Sequence, residues 1–339
     1  MRRRLGQQPS ENAREKKPPP AGTENAPHGR RSSAPRFVVV VGMMSFFADF
    51  SYEGSRSMVG QYLGLLGAGA LVNSVVSGFG TLLGYGLRLV SGSSADRTGK
   101  YWRIAIVGYV LQMTLALLAV PAAIELGFLA VARMSYPNPS NQSGVAATLT
   151  TTDRMPKVFW RHLGAAALVG AGFADFALIE YRFERSRIVG SELVHVFYAV
   201  SMAVGGAGLL VFGRLFDRFE TRLLVPLTRV LAAYAPLAFL GGFWAWLAGV
   251  ILWGVGTGVQ ESVIRAALAR MVKRDRRVSA FKIFTGGYGV AWFAGSTAIG
   301  VLFGVSLPLV VVFAPLSEVA AVPLFVVDAR RAGRSAEAA

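Results

Sequence analysis

The chain contains no cysteine and only three histidines, His28, His162 and His195, in 339 residues. Disulfide scaffolds, thiolate metal centres, iron–sulfur clusters and cysteine nucleophiles are thereby excluded. The histidines are too scattered to build a metal site, so neither a metal nor a cofactor is expected. Charge is scarce as well: 16% of residues are Asp, Glu, Lys or Arg, where a soluble domain carries about 25%. Acidic residues are the scarcer kind, 19 against 35 basic, which leaves a formal charge of +16. In a soluble protein that excess would suggest a nucleic-acid partner. Here 53% of residues are hydrophobic and mean hydropathy is +0.46. The excess therefore reads as the basic loops of a membrane protein, with the lipid bilayer and no nucleic acid as partner. The sequence has no G-x-x-x-x-G-K-[ST] loop, no HExxH pair and no persuasive Ser/His constellation, which argues against an ATP-driven pump and against an enzyme.

What is present is apolar sequence in blocks. Residues 1–36 stand apart, with nine basic side chains against three acidic and the run Pro18-Pro19-Pro20. They have almost nothing to bury and read as a disordered basic cytoplasmic tail. No apolar stretch follows the early arginines, so no cleaved signal is expected. A spanning helix needs roughly 20 mostly apolar residues, and such segments lie near 37–56, 68–91, 104–132, 159–180, 193–213, 223–241, 243–264, 283–304 and 306–327. The fold class this implies is all-α, a polytopic membrane helix bundle of about nine apolar segments. Glycines recur inside them (Gly78, Gly80 and Gly84; Gly254, Gly256 and Gly258; Gly295, Gly300 and Gly304), which suits close helix contact in lipid. Gly254-Val-Gly256-Thr-Gly258 imitates a nucleotide loop but has no strand before it. Trp102, Trp160, Trp244 and Trp246 are placed as interfacial anchors.

Basic residues orient the segments. Arg97, Lys100 and Arg103 mark one cytoplasmic loop, Arg214, Arg218 and Arg222 a second, and the run from Arg265 to Lys282 a third. Arg330, Arg331 and Arg334 place the C-terminal tail on the same side, and the connections at Gly241-Gly242 and Gly304-Val305 are uncharged and face outward. Residues 133–161, with Arg133, Arg154, Lys157 and Arg161, also read as cytoplasmic. This creates a conflict, because a single apolar segment, 104–132, then lies between two inside loops. Its 29 residues are too few for two ordinary spans of about 20 each.

The chain also repeats itself. Phe47-Ala-Asp-Phe-Ser-Tyr-Glu-Gly-Ser-Arg56 aligns with Phe173-Ala-Asp-Phe-Ala-Leu-Ile-Glu-Tyr-Arg182, and Gly92-Ser-Ser-Ala-Asp96-Arg97 with Gly213-Arg-Leu-Phe-Asp217-Arg218. Repeats of this kind are characteristic of transporters. The turn Gly92-x-x-x-Asp96-Arg97-x-Gly99-Lys100, between the second and third segments and echoed from Gly213 to Arg218, resembles the signature loop of the major facilitator superfamily. The resemblance covers roughly 37–328. It implies two six-helix halves around a central cavity, cytoplasmic termini in a bacterial plasma membrane, and secondary active transport of a small solute by alternating access, with a proton as candidate coupling ion. The second half fits completely. In the first, 104–132 resembles a third helix joined to a sixth, so that two helices are missing. The expected organisation is a tail at 1–36, a shortened N-terminal bundle at 37–133, a central loop at 134–158, a six-helix bundle at 159–328 and a tail at 329–339. The alternative is a transport-inactive shortened membrane protein, a remnant or a scaffold.

Charged residues inside the spans supply candidate sites, because ionisable groups at such depth face a cavity or a partner. Asp49, Tyr52, Glu53 and Arg56 follow i, i+3, i+4, i+7 spacing and share one helical face. Asp175 and Arg182 repeat the outer two, with Glu180 nearby, and Gln260, Glu261 and Arg265 form a third cluster in which Glu261 and Arg265 are an i, i+4 pair. These are the candidates for a substrate or coupling pathway; a structural ion pair at a helix end is the plainer reading. The resemblance implies a conformational latch at Gly92, Asp96, Arg97 and Gly99 and at Gly213, Asp217 and Arg218. The second copy carries Phe219-Glu220 in place of Thr98-Gly99, which weakens its claim to that role. The orientation is directly testable: reporter fusions after Lys100 and at Asp275 should both report the cytoplasmic side, and an outside signal at Asp275 would overturn the charge argument.

Overall fold

The structure is a computed structural model that describes residues 39, 40, 42–44, 48, 49, 52–54, 56–115, 134, 155–186, 189–273 and 276–337. The basic tail at 1–36, the seam from 116 to 132 and nearly all of the central loop lie outside the described residues. Every regular element among the described residues is helical. In chain order they are α1 (Val59–Leu65), α2 (Ala70–Thr98), α3 (Tyr101–Leu115), α4 (Lys157–Gly172), α5 (Phe176–Ser186), α6 (Ser191–Phe219), α7 (Leu224–Leu231), α8 (Tyr234–Leu240), α9 (Phe243–Val259), α10 (Arg265–Met271), α11 (Arg277–Val305) and α12 (Leu307–Glu337). A 3₁₀ turn, Glu220–Leu223, joins α6 to α7, and a π-helical turn, Gln260–Ile264, joins α9 to α10.

Among the described residues, six stretches are long and apolar enough to cross a membrane: Ala70–Ala95, Lys157–Ser186, Glu192–Leu240, Phe243–Met271, Arg277–Val305 and Leu307–Arg330. Sequence reading expects nine. The difference has two sources. Segments 37–56 and 104–132 fall partly outside the described residues, and 193–213 and 223–241 merge into the 49-residue stretch Glu192–Leu240. At about 1.5 Å per residue that stretch is some 70 Å long, twice the thickness of a hydrocarbon core, and it turns back at Glu220.

The helices end where the sequence supplies a stop. α2 closes on Gly99, whose φ of 64° lets its N–H bond the Ala95 carbonyl at 2.9 Å. Gly92, expected within that turn, instead lies inside α2, as Gly213 lies inside α6. The turn proper begins only at Gly99, since nothing from Gly92 to Thr98 interrupts the helical hydrogen bonding.

Packing is concentrated in the second half of the chain. α4 is pressed between α11 and α12, α6 lies along α9, and α2 lies along α11 and so fastens the first segment to the second. These contacts depend on missing side chains. A Cβ on Gly295 would fall 2.1 Å from the Ala171 carbonyl oxygen, and one on Gly254 would fall 2.2 Å from the Ser201 carbonyl oxygen. Two backbones therefore touch at each point, which is how helices associate in lipid without a hydrophobic drive. Trp246 departs from its expected interfacial place: it is fully buried and stacks on Phe183 at 4.3 Å, whereas Trp160 and Trp244 remain exposed. Gly295→Ala should lower thermal stability in detergent by about 1–3 kcal/mol, because backbone cannot yield as a side chain can. Gly80, with nothing within 4 Å of its Cβ position, is the control: Gly80→Ala should leave the melting temperature unchanged or raise it.

Candidate functional site

The span Lys157–Ser186 is not one helix. It breaks at Phe173-Ala174-Asp175, between α4 and α5. In hydrocarbon a freed peptide group must find a partner inside the protein, and here side chains from two other helices provide it. The Tyr234 hydroxyl accepts from Ala174 N at 2.7 Å and donates to the Gly172 carbonyl at 2.8 Å, while Trp253 Nε1 donates to the Ala174 carbonyl at 2.8 Å. The two phenylalanines of the motif wedge the break in place. Phe173 stacks on Trp253 at 5.4 Å and contacts Tyr234 and Trp292, and Phe176 packs on Tyr198 at 4.5 Å.

Asp175 sits at the break, 1% exposed, and collects three donors from two parts of the chain, the stretch before α1 and α11. Arg56 Nη2 lies 3.1 Å from Oδ1, Trp292 Nε1 donates to Oδ1 at 3.1 Å, and the Ser296 hydroxyl donates to Oδ2 at 2.6 Å. Such a carboxylate is paired and fully hydrogen-bonded, which is what makes a buried charge tolerable. Arg56 also approaches Glu53 at 3.9 Å, and Glu53 accepts a hydrogen bond from the Tyr198 hydroxyl. One helical turn on, His195 Nδ1 donates to the Ser57 carbonyl at 3.1 Å and Gly60 N donates to Glu180 Oε2 at 2.9 Å. The first and second segments are thus joined by a continuous polar seam.

A second polar group lies beside this seam. The Tyr288 hydroxyl donates to Gln260 Oε1, and Tyr288 stands between Tyr85 at 5.8 Å and Trp292 at 5.9 Å. Gln260 begins the π-helical turn, a distortion that recurs at functional sites. The wider turn also separates Glu261 from Arg265: the expected i, i+4 pair does not form among the described residues. The His162 ring, buried on α4, reaches the Ile264 carbonyl in that turn at 3.0 Å through Nε2. A carbonyl can only accept, so Nε2 carries the proton. Nδ1 then faces Asp328 at 3.5 Å, and Asp328 is held by Arg161 Nε at 2.6 Å.

The sequence candidates therefore divide. Glu53, Arg56 and Asp175 are one connected network, and Gln260 adjoins it through Tyr288 and Trp292. Tyr52 is 43% exposed, with the Arg56 guanidinium 5.9 Å from its ring centroid. Asp49 and Glu261 are exposed and Arg265 half-buried. Asp49 and Glu261 lie within electrostatic reach of each other, as Arg88 does of Asp49 and Arg265 of Tyr85. Arg182 belongs elsewhere: its Nε bonds the Phe239 carbonyl at 3.3 Å and its guanidinium stands 5.9 Å over Trp246. The repeat suggests Arg182 as a counterpart of Arg56, yet it meets no carboxylate.

The two Asp-Arg turns share a register. α2 and α6 are each 29 residues long, with Asp96 and Asp217 in the same position near their ends. The residue that follows each helix has positive φ, 64° at Gly99 and 54° at Glu220. Glu220 accepts that conformation while bonded to Arg270 Nη1 at 2.6 Å; Arg270 also lies 3.7 Å from Asp217 and 4.9 Å over the Phe216 ring. The replacement of glycine by Glu220 thus adds a contact to α10. Arg97 is exposed and Arg218 stands over Phe219 at 5.4 Å; the Asp96 side chain lies outside the described residues.

Sequence reading passed over Tyr234, Trp253, Trp292 and Ser296, ordinary residues of apolar helices whose role depends on what packs opposite. It also passed over Glu318 and Asp328, both buried. Glu318 was legible in principle, since a carboxylate within the apolar run 306–327 is itself a signal.

With six apolar helices and a polar network buried between them, the chain is a helical integral membrane protein. No protein-family model matches it. It is similar to the uncharacterized protein Rv2265 of Mycobacterium tuberculosis and the uncharacterized protein Mb2288 of Mycobacterium bovis, each 27% identical over 390 residues, with 89% of this chain and 95% of the relative covered. Because 89% of 339 residues fills only about 300 of those 390 positions, each relative carries on the order of 90 residues within the match that this chain lacks, enough for roughly three spans with their loops.

The ion pair makes a quantitative test. Arg56→Gln leaves the Asp175 carboxylate buried without a counter-charge and should cost about 3–5 kcal/mol. Asp175→Asn keeps an acceptor for Trp292 and should cost less, and the double variant should recover part of the Arg56→Gln loss. Asp49→Asn, at an exposed position, should stay within about 0.5 kcal/mol of the parent. Thermal unfolding in detergent reads all four.

Proposed function

We propose that this chain is a secondary transporter of a small solute, working by alternating access in the manner of the major facilitator superfamily, with both termini cytoplasmic. The observation that carries this reading is the broken span at Phe173–Asp175, whose buried carboxylate is bonded to Arg56 on the other side of the polar seam. Transporters place substrate and coupling-ion sites at such discontinuous helices, where irregular backbone is sheltered by protein. An ion pair between two segments is also a bond that can open and close as they move. The shared register of Asp96 and Asp217 at the ends of two 29-residue helices supports the two-half design. In this reading the fully bonded network of Glu53, Arg56 and Asp175 is the closed side, and Asp49, Arg88, Glu261 and Arg265, which form no ion pair among the described residues, line the open side.

The second reading, a shortened chain without transport activity, is favoured by one specific observation: the roughly 90 residues present in each relative and absent here. A cavity closed on all sides needs helices that the first half would then lack. Reconstituted vesicles separate the readings. Asp49→Asn should abolish uptake of any solute the parent carries while leaving the amount of folded protein in the membrane unchanged, since the isostere removes charge and keeps packing. Loss of folded protein instead would make Asp49 structural. If the relative takes up a solute that this chain does not, over a broad panel, the shortened first half is inactive.

A further inference from the structure

Glu318 of α12 is 1% exposed and neither of its carboxyl oxygens has a hydrogen-bond partner. It does not lie in idle packing. It faces Gly172, the last residue of α4: a Cβ placed there would be 3.2 Å from Glu318 Cγ and 2.7 Å from the Ala314 carbonyl oxygen. The end of a helix is its electronegative end, so an ionised Glu318 would add a negative charge where carbonyl dipoles already converge. Among the described residues, the elements around it supply no cation. α8 presents the Tyr234 hydroxyl, α11 the Tyr288 hydroxyl, and the break presents Asp175, itself an acid. On α4, Arg161 is paired with Asp328, ten residues and about 15 Å further along α12, and His162 bonds the Ile264 carbonyl. On α7 and the turn before it, Arg229, Arg222 and Glu220 are exposed.

A buried carboxylate without donor or counter-ion costs several kcal/mol, and the site becomes neutral only by taking a positive charge from outside the protein. Resting on the transport reading, we propose that Glu318 is the residue that binds the coupling cation, a proton or a sodium ion. With the cation bound, Glu318 needs no donor and Tyr234 keeps its bonds to Gly172 and Ala174. When the cation leaves, the carboxylate recruits a neighbouring hydroxyl, that of Tyr234, and the Gly172 carbonyl loses its partner. The break then loosens, and with it the segment that holds Asp175 against Arg56. Cation occupancy at Glu318 is in this way linked to the ion pair across the seam, while Asp175, saturated by three donors, is left as the positioning carboxylate.

The test uses the full chain in detergent and needs no substrate. Folded protein that holds a cation which the unfolded chain releases loses stability as that cation is withdrawn. The parent's melting temperature should therefore fall by roughly 2–4 °C or more between about pH 6 and about pH 9 if the cation is a proton, or rise with sodium but not with N-methylglucamine if it is sodium. Glu318→Gln, neutral at every pH, should lose that dependence. If parent and variant follow each other across pH and sodium, the proposal is overturned. Should the variant fail to fold, modification of the parent by the apolar carboxyl reagent dicyclohexylcarbodiimide decides: labelling of Glu318 that declines with rising pH or with sodium supports the site, and labelling absent or indifferent to both overturns it. Uptake enters neither readout. A cation-dependent melt in a chain that carries no solute would refute the transport reading and leave the site standing, and solute uptake with a cation-indifferent melt would do the reverse.

Discussion

A peptide group inside a membrane has no water to turn to, and the three residues from Phe173 to Asp175 leave the helix where that shortage is most severe. The rest of the second segment is arranged around the need. Tyr234 bridges the Gly172 carbonyl and the Ala174 N–H, Trp253 takes the Ala174 carbonyl, and Arg56, Trp292 and Ser296 divide the carboxylate of Asp175. These donors come from α8, α9, α11 and the stretch before α1, so one unwound turn ties together helices that also pack through small residues and buried aromatic rings. Chains of polar contacts in a low-dielectric interior are strong when complete and costly when broken. The break therefore organises the bundle and is also the place where the bundle can be switched.

The polar groups are distributed unevenly about this point. On one side Glu53, Arg56 and Asp175 are bonded to each other, to Tyr198 and to Trp292. On the other, Asp49, Arg88, Glu261 and Arg265 are near one another and form no ion pair among the described residues, Glu261 lying in the π-helical turn whose Ile264 carbonyl is held by His162. A symmetric repeat would put equivalent bonds on both sides, with Arg182 meeting Asp49 as Arg56 meets Asp175. Arg182 instead stacks on Trp246, and the asymmetry follows from what surrounds each copy. The second copy lies among α6, α8, α9 and α11; the described residues of the first meet Tyr198 of α6 and Asp175 at the break.

The mycobacterial relatives carry roughly 90 residues within the match that this chain lacks. The conflict of charge falls at 104–132, a segment that lies mostly outside the described residues. What the structure adds is that α2, packed along α11 and touching Phe293 through Phe79, leaves Val72, Val76, Leu83 and Leu87 exposed among the described residues.

Membrane class, helical fold and the approximate limits of most spans were legible in the sequence, because hydrocarbon thickness imposes about 20 apolar residues per crossing and leaves few alternatives. The exceptional residues were partly legible for the same reason: Glu53, Arg56, Asp175 and Gln260 stood out as polar groups at costly depth. Pairing was not. Phe-Ala-Asp-Phe occurs twice, yet Ala48 and Asp49 are helical with Asp49 exposed, whereas Ala174 and Asp175 are unwound and buried. The local sequence is identical over those four residues, so local preference cannot separate the two outcomes. What separates them is the presence of Tyr234 and Trp253 opposite one copy, which satisfy the peptide groups that an unwound turn exposes. That presence is a property of which helices meet, and only the tertiary structure decides it.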